Sequence, residues 1–111
     1  MGSLSAGQVV LATFPFSDLK SKKVRPCLVI GIAEFDDVVL CQITSSKYES
    51  KRAISLGNRD FIKGSIAVES YIRPDKIATL DRKTIKQVLG VINNKKHTEV
   101  KSVLKDFFSI V

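Results

Sequence analysis

Two short apolar runs separated by an acidic pair most constrain what this chain can fold into. Cys27 to Ile32 is continuously apolar, and Val38 to Thr44 follows it after Asp36-Asp37. An uninterrupted run of that length reads as a strand buried on both faces. An acidic turn between two such runs predicts that they pair as antiparallel neighbours. That pairing brings Arg25, at the entrance of the first run, to the same end as Thr44 and Ser45, which close the second. Arginine is always charged and presents a planar fork of donors that suits phosphate oxygens. Functional groups concentrate at such junctions, where a rigid strand fixes what a loop exposes. Two strands thus end in groups able to hold one phosphodiester.

The remaining pattern is one of short strands. Gln8 to Phe14 is rich in Val and aromatic residues, and Pro15 stops it. Phe16 to Val24 is a polar, lysine-rich loop, and Ser45 to Arg52 is another. Ala53 to Leu56, Ser65 to Glu69 and Lys76 to Leu80 read as further short strands. Gly57 and Gly64 bracket a loop between the first two, and Arg73-Pro74-Asp75 marks a turn before the third. Short strands joined by Gly- and Pro-marked turns favour a small barrel or compact sheet over a βαβ layout. From Asp81 the period changes. Ile85, Val88, Leu89 and Ile92 follow helical spacing with Asp81 as a candidate N-cap, although Gly90 weakens that helix. Val100, Val103, Leu104 and Phe107 repeat the spacing, which predicts a C-terminal helix capped by Asn93 or Thr98.

With 111 residues the chain is expected to form one domain, residues 1–111. Its 44% hydrophobic and 26% charged residues are those of an ordinary globular protein. No apolar run approaches the ~18 residues of a membrane span. Met1 to Gly7 has neither the basic start nor the apolar core of a secretory signal, so a cytoplasmic location is expected. Cys27 and Cys41 both lie in apolar runs and read as buried thiols, with a disulfide between them geometrically open. Two Cys and one His, widely separated, make no zinc pattern, and no metal or other cofactor is expected. The net charge of +7 favours an anionic partner, either nucleic acid or an acidic protein segment.

Four ordered pieces give the chain a family resemblance. They are Gly7-Gln8-Val9-Val10, Val24-Arg25-Pro26 followed by Leu28-Val29-Ile30, Ile43-Thr44-Ser45, and Lys76-Ile77-Ala78-Thr79-Leu80-Asp81. In this order and spacing the chain resembles the MazF/PemK family, the ribonuclease toxins of bacterial toxin–antitoxin pairs. Phe14-Pro15-Phe16-Ser17-Asp18-Leu19 resembles the PemK-like branch. The resemblance implies a mainly β (α+β) fold, a small SH3-like or CcdB-like antiparallel β-barrel with a C-terminal helix, usually a homodimer. It also implies metal-independent cleavage of single-stranded RNA at short sequence motifs, as an mRNA interferase. An acidic antitoxin protein is the implied partner. Its catalytic pair, an arginine before the proline and a threonine closing the later strand, maps onto Arg25 and Thr44. The loop before Arg25 is shorter and richer in lysine than in many relatives.

RNA is cut when its own 2′-hydroxyl attacks the adjacent phosphorus, so the protein must orient that attack, move protons and stabilise charge on the non-bridging oxygens. Arg25 suits the last task. Thr44 and Ser45 offer hydroxyl donors to the same phosphate. With its pKa of roughly 12.5–13.8 an arginine is a poor base, and the base is left open among His97, Asp18 and Glu69. Lys20, Lys22, Lys23, Lys47, Lys51 and Arg52 lie in the two loops expected at that end, as phosphate contacts. Tyr48 is placed to stack on a base. Lys83, Lys86, Lys95, Lys96, Lys101 and Lys105 read as wet faces of the helices. Two other functions fit the same scaffold: a non-catalytic nucleic-acid- or protein-binding module, and a gyrase poison. Those poisons rely on a C-terminal tryptophan segment, whereas this chain contains no Trp.

Overall fold

A computed structural model describes residues 3–15, 22–46 and 49–109. Seven strands and one helix follow in order: β1 (Gln8–Pro15), β2 (Lys22–Ile32), β3 (Asp37–Thr44), β4 (Ile54–Leu56), β5 (Phe61–Gly64), β6 (Ser70–Asp81), β7 (Ile85–Ile92) and α1 (Asn94–Phe107). The strands form one curled antiparallel sheet in the order β4-β6-β3-β2-β1-β7-β5. The expected β2–β3 hairpin is present, with Leu28 opposite Cys41 and Cys27 opposite Gln42. Its turn is Glu34 to Asp37, closed by an Asp37 N–H to Glu34 carbonyl bond of 3.2 Å. Phe35 and Asp36 both adopt positive φ, the backbone of a tight turn whose twist matches the strands.

The central strands bury both faces. One core cluster contains Val9, Leu28, Cys41, Ile43, Ile54, Leu56, Ile72 and Val100. Val10, Ala12, Cys27, Val29 and Leu40 fill another. Cys27 and Cys41 therefore serve separate clusters, and both thiols are free and buried. Burial pushes each up to about 12, in Cys27 with a smaller contribution from Cys41 and in Cys41 from Asp75. A thiol so raised holds almost no thiolate near neutral pH.

Several sequence expectations are corrected, among them the loop between Gly57 and Gly64, which contains β5. The stripe Ile85, Val88, Leu89, Ile92 is strand β7, not a helix. Two register shifts against β1, between Val9 and Val10 and between Leu11 and Ala12, each insert an extra β7 residue. Bulges of this kind stretch the two-residue period of a strand into spacings of three and four. Asp81 does cap, but the helix is one short 3₁₀ turn, Arg82–Thr84, and its carboxylate accepts from the Lys83 N–H at 2.8 Å. Residues 65–69 are loop, whereas Arg73-Pro74-Asp75 is no turn and lies inside the continuous β6. Pro74 is tolerated because the β3–β6 ladder is irregular there, jumping from Cys41↔Ile77 to Ile43↔Ile72.

The C-terminal helix forms as expected, with Asn93 as its cap, its Oδ1 accepting from the Lys96 N–H at 2.8 Å. The helix start is tied to the 3₁₀ turn before β5, since the Asn93 N–H also donates to the Asp60 carbonyl at 2.7 Å. Lys96, expected on a wet face, is instead buried, with Nζ 2.8 Å from Glu99 and 3.8 Å from Asp60.

Two measurements follow from this packing. Cys27 and Cys41 are expected to resist a thiol reagent at pH 8 in the native protein and to react fully once it is unfolded in guanidinium. Gly64 has φ +79, and a Cβ there would strike the Leu89 carbonyl. Gly64→Ala is expected to destabilise by about 1–3 kcal/mol, seen as a lower urea midpoint at unchanged m.

Candidate active site

The site is a fork between two strands. The β2–β3 ladder ends at Cys27↔Gln42. Beyond that point β2 stays paired with β1, Arg25 opposite Ala12, while β3 stays with β6, Thr44 opposite Tyr71. The two strands therefore part, and a cleft of about 570 Å³ opens between them. Arg25 and Pro26 line it from β2, Ile43 and Thr44 from β3. Continuing the register by two residues sets Arg25 across from Thr44. Arg25 lies within β2, which begins at Lys22, so a longer stretch of strand holds it than the sequence suggested.

Thr44 is oriented by its own turn. Its Oγ1 accepts from the Ser46 N–H at 3.1 Å, which leaves the hydroxyl proton to be donated elsewhere. Ser45 and Ser46 are exposed and extend the hydroxyl-rich wall. The opposite lip is the 65–69 loop, from which Ser65, Ile66, Ala67 and Val68 line the cleft. That lip is held in place by Asn58, whose Oδ1 accepts from the Ile66 N–H at 2.7 Å, and by the Ser70 hydroxyl donating to the Val68 carbonyl at 2.8 Å. Among the described lining residues Arg25 is the one ionisable side chain.

Arg25, Thr44 and Ser45 thus share the cleft. Lys23 is exposed on β2, and Lys22 opens that strand. Lys51 is exposed in the turn before β4. Arg52 turns towards α1, with Nε 3.7 Å from Asp106 and its guanidinium 5.5 Å from the centre of the Phe107 ring. Neither Lys51 nor Arg52 lines the cleft. Lys20, Lys47, Tyr48 and Asp18 lie outside the described residues. Glu69 pairs with Arg59 and lines a separate surface hollow. His97 is on α1, its ring 3.5 Å from where a Cβ on Gly7 would sit. It packs the N-terminal segment against the helix.

Sequence reasoning missed the lip and Gln42. Nothing in the apolar and small residues 65–68 marks them as a cleft wall, because only the fold brings them opposite Thr44. Gln42 had a signal: it is the polar interruption of the Val38 to Ile43 run.

Residues 5–108 match the family model described as PemK-like, MazF-like toxin of type II toxin-antitoxin system. The chain belongs to this family. Solved structures of MazF-type toxins share the PemK/MazF-like fold seen here. MazF from Deinococcus radiodurans superposes with a TM-score of 0.76 at 20% identity, over 99% of this chain and 100% of that one. A mycobacterial endoribonuclease in complex with its cognate antitoxin gives 0.75 at 16% identity, over 98% and 100%. A MazE–MazF complex from Deinococcus radiodurans gives 0.73 at 19%, over the full length of both chains. Among curated proteins none matches the chain.

His97 supplies a pH test. Its pKa is lowered from the ordinary 6.5, first by burial and then by Lys101. A depressed folded-state value means that the unfolded chain takes up the proton first, so His97 stabilises the fold above its unfolded pKa. That contribution is lost as pH falls from about 6.5 through the lower folded value. The Tm is expected to be lower at pH 5.5 than at pH 7.5, and His97→Gln is expected to remove part of the difference.

Proposed function

We propose that this protein is a sequence-specific endoribonuclease that cleaves single-stranded RNA without a metal ion, as the toxin of a type II toxin–antitoxin pair. The observation that carries the proposal is the strand fork that opens one cleft between Arg25 and Thr44. Membership of a family of MazF-like toxins supports it, as do similar folds in proteins described as endoribonucleases.

In this reading the scissile phosphate lies between β2 and β3. The 2′-oxygen forms a bond to phosphorus as the bond to the 5′-oxygen breaks. The 2′-hydroxyl gives up its proton and the departing 5′-oxygen takes one, leaving a 2′,3′-cyclic phosphate and a 5′-hydroxyl. The nucleophile belongs to the substrate, so no metal-activated water is required. Arg25 stabilises charge on the non-bridging oxygens, and Thr44, its oxygen fixed by Ser46, donates to the same phosphate. Ser45 and Lys23 extend the contacts along the RNA backbone, with Lys20, Lys22, Lys47, Tyr48, Lys51 and Arg52 proposed to hold its flanks. The net charge of +7 draws the same surface towards an acidic antitoxin segment. The protein acts in the cytoplasm as a homodimer.

The test is cleavage of an unstructured RNA in excess EDTA. The wild type is expected to cut and to leave cyclic phosphate ends. Arg25→Ala is expected to lose about 10²–10³ in rate, and Thr44→Val about tenfold or more, each with an unchanged Tm. Full activity in Arg25→Ala overturns the site. Tight binding of many RNAs without cleavage would instead make the protein a non-catalytic binding module.

A further inference from the structure

Gln42 sits at the point where the strand fork begins. It is the last β3 residue paired with β2, opposite Cys27, and it falls in the register break against β6. The residue is 7% exposed and lines the cleft. Its Oε1 is shut off from solvent and meets no donor among the described residues. By strand alternation it lies on the same side of β3 as Thr44, about 6.6 Å further in.

A buried carbonyl oxygen without a donor destabilises a fold, and each one in a native protein calls for an explanation. Register breaks cluster beside active sites, where they re-aim a side chain. The surroundings of Gln42 suit a flat, largely apolar ligand with a polar edge, since Leu11, Pro26, Ile43 and Leu89 wall the same cleft. Pockets of this kind fix orientation with a few polar groups at defined places. A carboxamide turns easily about its last torsion, so Oε1 can swing from its shielded position towards the cleft.

We propose that Gln42 is a specificity-determining residue, whose Oε1 accepts a hydrogen bond from the exocyclic amino group of one nucleobase seated in the cleft. This rests on the ribonuclease reading. Arg25 and Thr44 hold the phosphate at the mouth of the fork, while Gln42 reads the adjoining base at its apex. A site built to receive an amino group rejects a base without one, because its acceptor is then left buried and unpaired. The uncompensated oxygen of the free protein is relieved when RNA binds.

The experiment begins by mapping the preferred cleavage motif of the wild type on a randomised single-stranded RNA. Synthetic substrates then replace each amino-bearing base by its deamino analogue: purine for adenine, 2-pyrimidinone for cytosine, hypoxanthine for guanine. At one position the wild-type kcat/KM is expected to fall about tenfold or more. In Gln42→Met, which keeps the length but loses the acceptor, that ratio is expected to drop below about threefold, through lost activity on the parent RNA. The Tm of Gln42→Met is expected to hold or rise by a few degrees, because an unsatisfied oxygen has been removed. A wild type that cuts no RNA overturns the ribonuclease reading, and this inference with it. A wild type that cuts but is indifferent to every deamino analogue overturns the inference alone. So does a Gln42→Met that keeps the discrimination, or one whose Tm falls.

Discussion

Burial on both faces of β2 and β3 locks the register between them, and the rest of the molecule follows from that lock. Leu28 and Cys41 serve one core cluster, while Cys27, Val29 and Leu40 serve another. A slip of one residue exchanges the two faces of a strand. Here it would move Cys27 and Leu28 into each other's places and turn Arg25 away from Thr44. Close packing on both faces and the two-residue turn at Phe35-Asp36 oppose such a slip. The apolar character of the central hairpin is therefore a condition for the geometry of the site as well as for stability.

The site exists because that lock is released at one end. β2 and β3 keep their outer partners, β1 and β6, but lose each other beyond Cys27 and Gln42. The backbone groups left between them find no ladder, and the space is taken up by Arg25, Thr44 and the hydroxyls beside it. Rigid strands on either side hold the two side chains at little entropic cost, which suits a site that must present donors to a charge that develops only during reaction. Helix α1 secures the far side. Its Asn93 cap and the buried Lys96 tie it to Asp60, and Val100 inserts into the core.

Irregularities carry much of the function-related geometry. The break in the β3–β6 ladder accommodates Pro74 and frames Gln42. Two further breaks let β7 follow β1 around the curl of the sheet. Regular strands with these side chains would make a flatter sheet, without the apex at which Gln42 meets the cleft.

Strand identity along β1, β2 and β3, the capped C-terminal helix and the Arg25–Thr44 juxtaposition were legible from the amino-acid order. They depend on local patterning: continuous apolar runs, an acidic turn, and a helical stripe behind a capping Asn. What misled was β7, where bulges gave Ile85, Val88, Leu89 and Ile92 a helical spacing, and the 65–69 loop, whose Ile66, Ala67 and Val68 line the cleft instead of forming a strand. Local patterning was enough to mark the apolar central strands, their pairing, and a guanidinium and a hydroxyl at one rim. Long-range packing settles where the strands part, which loop closes the cleft, that Arg52 turns towards the helix, and that Gln42 Oε1 meets no donor among the described residues. These depend on register breaks and long-range packing, whose energies are set by neighbours distant in the chain.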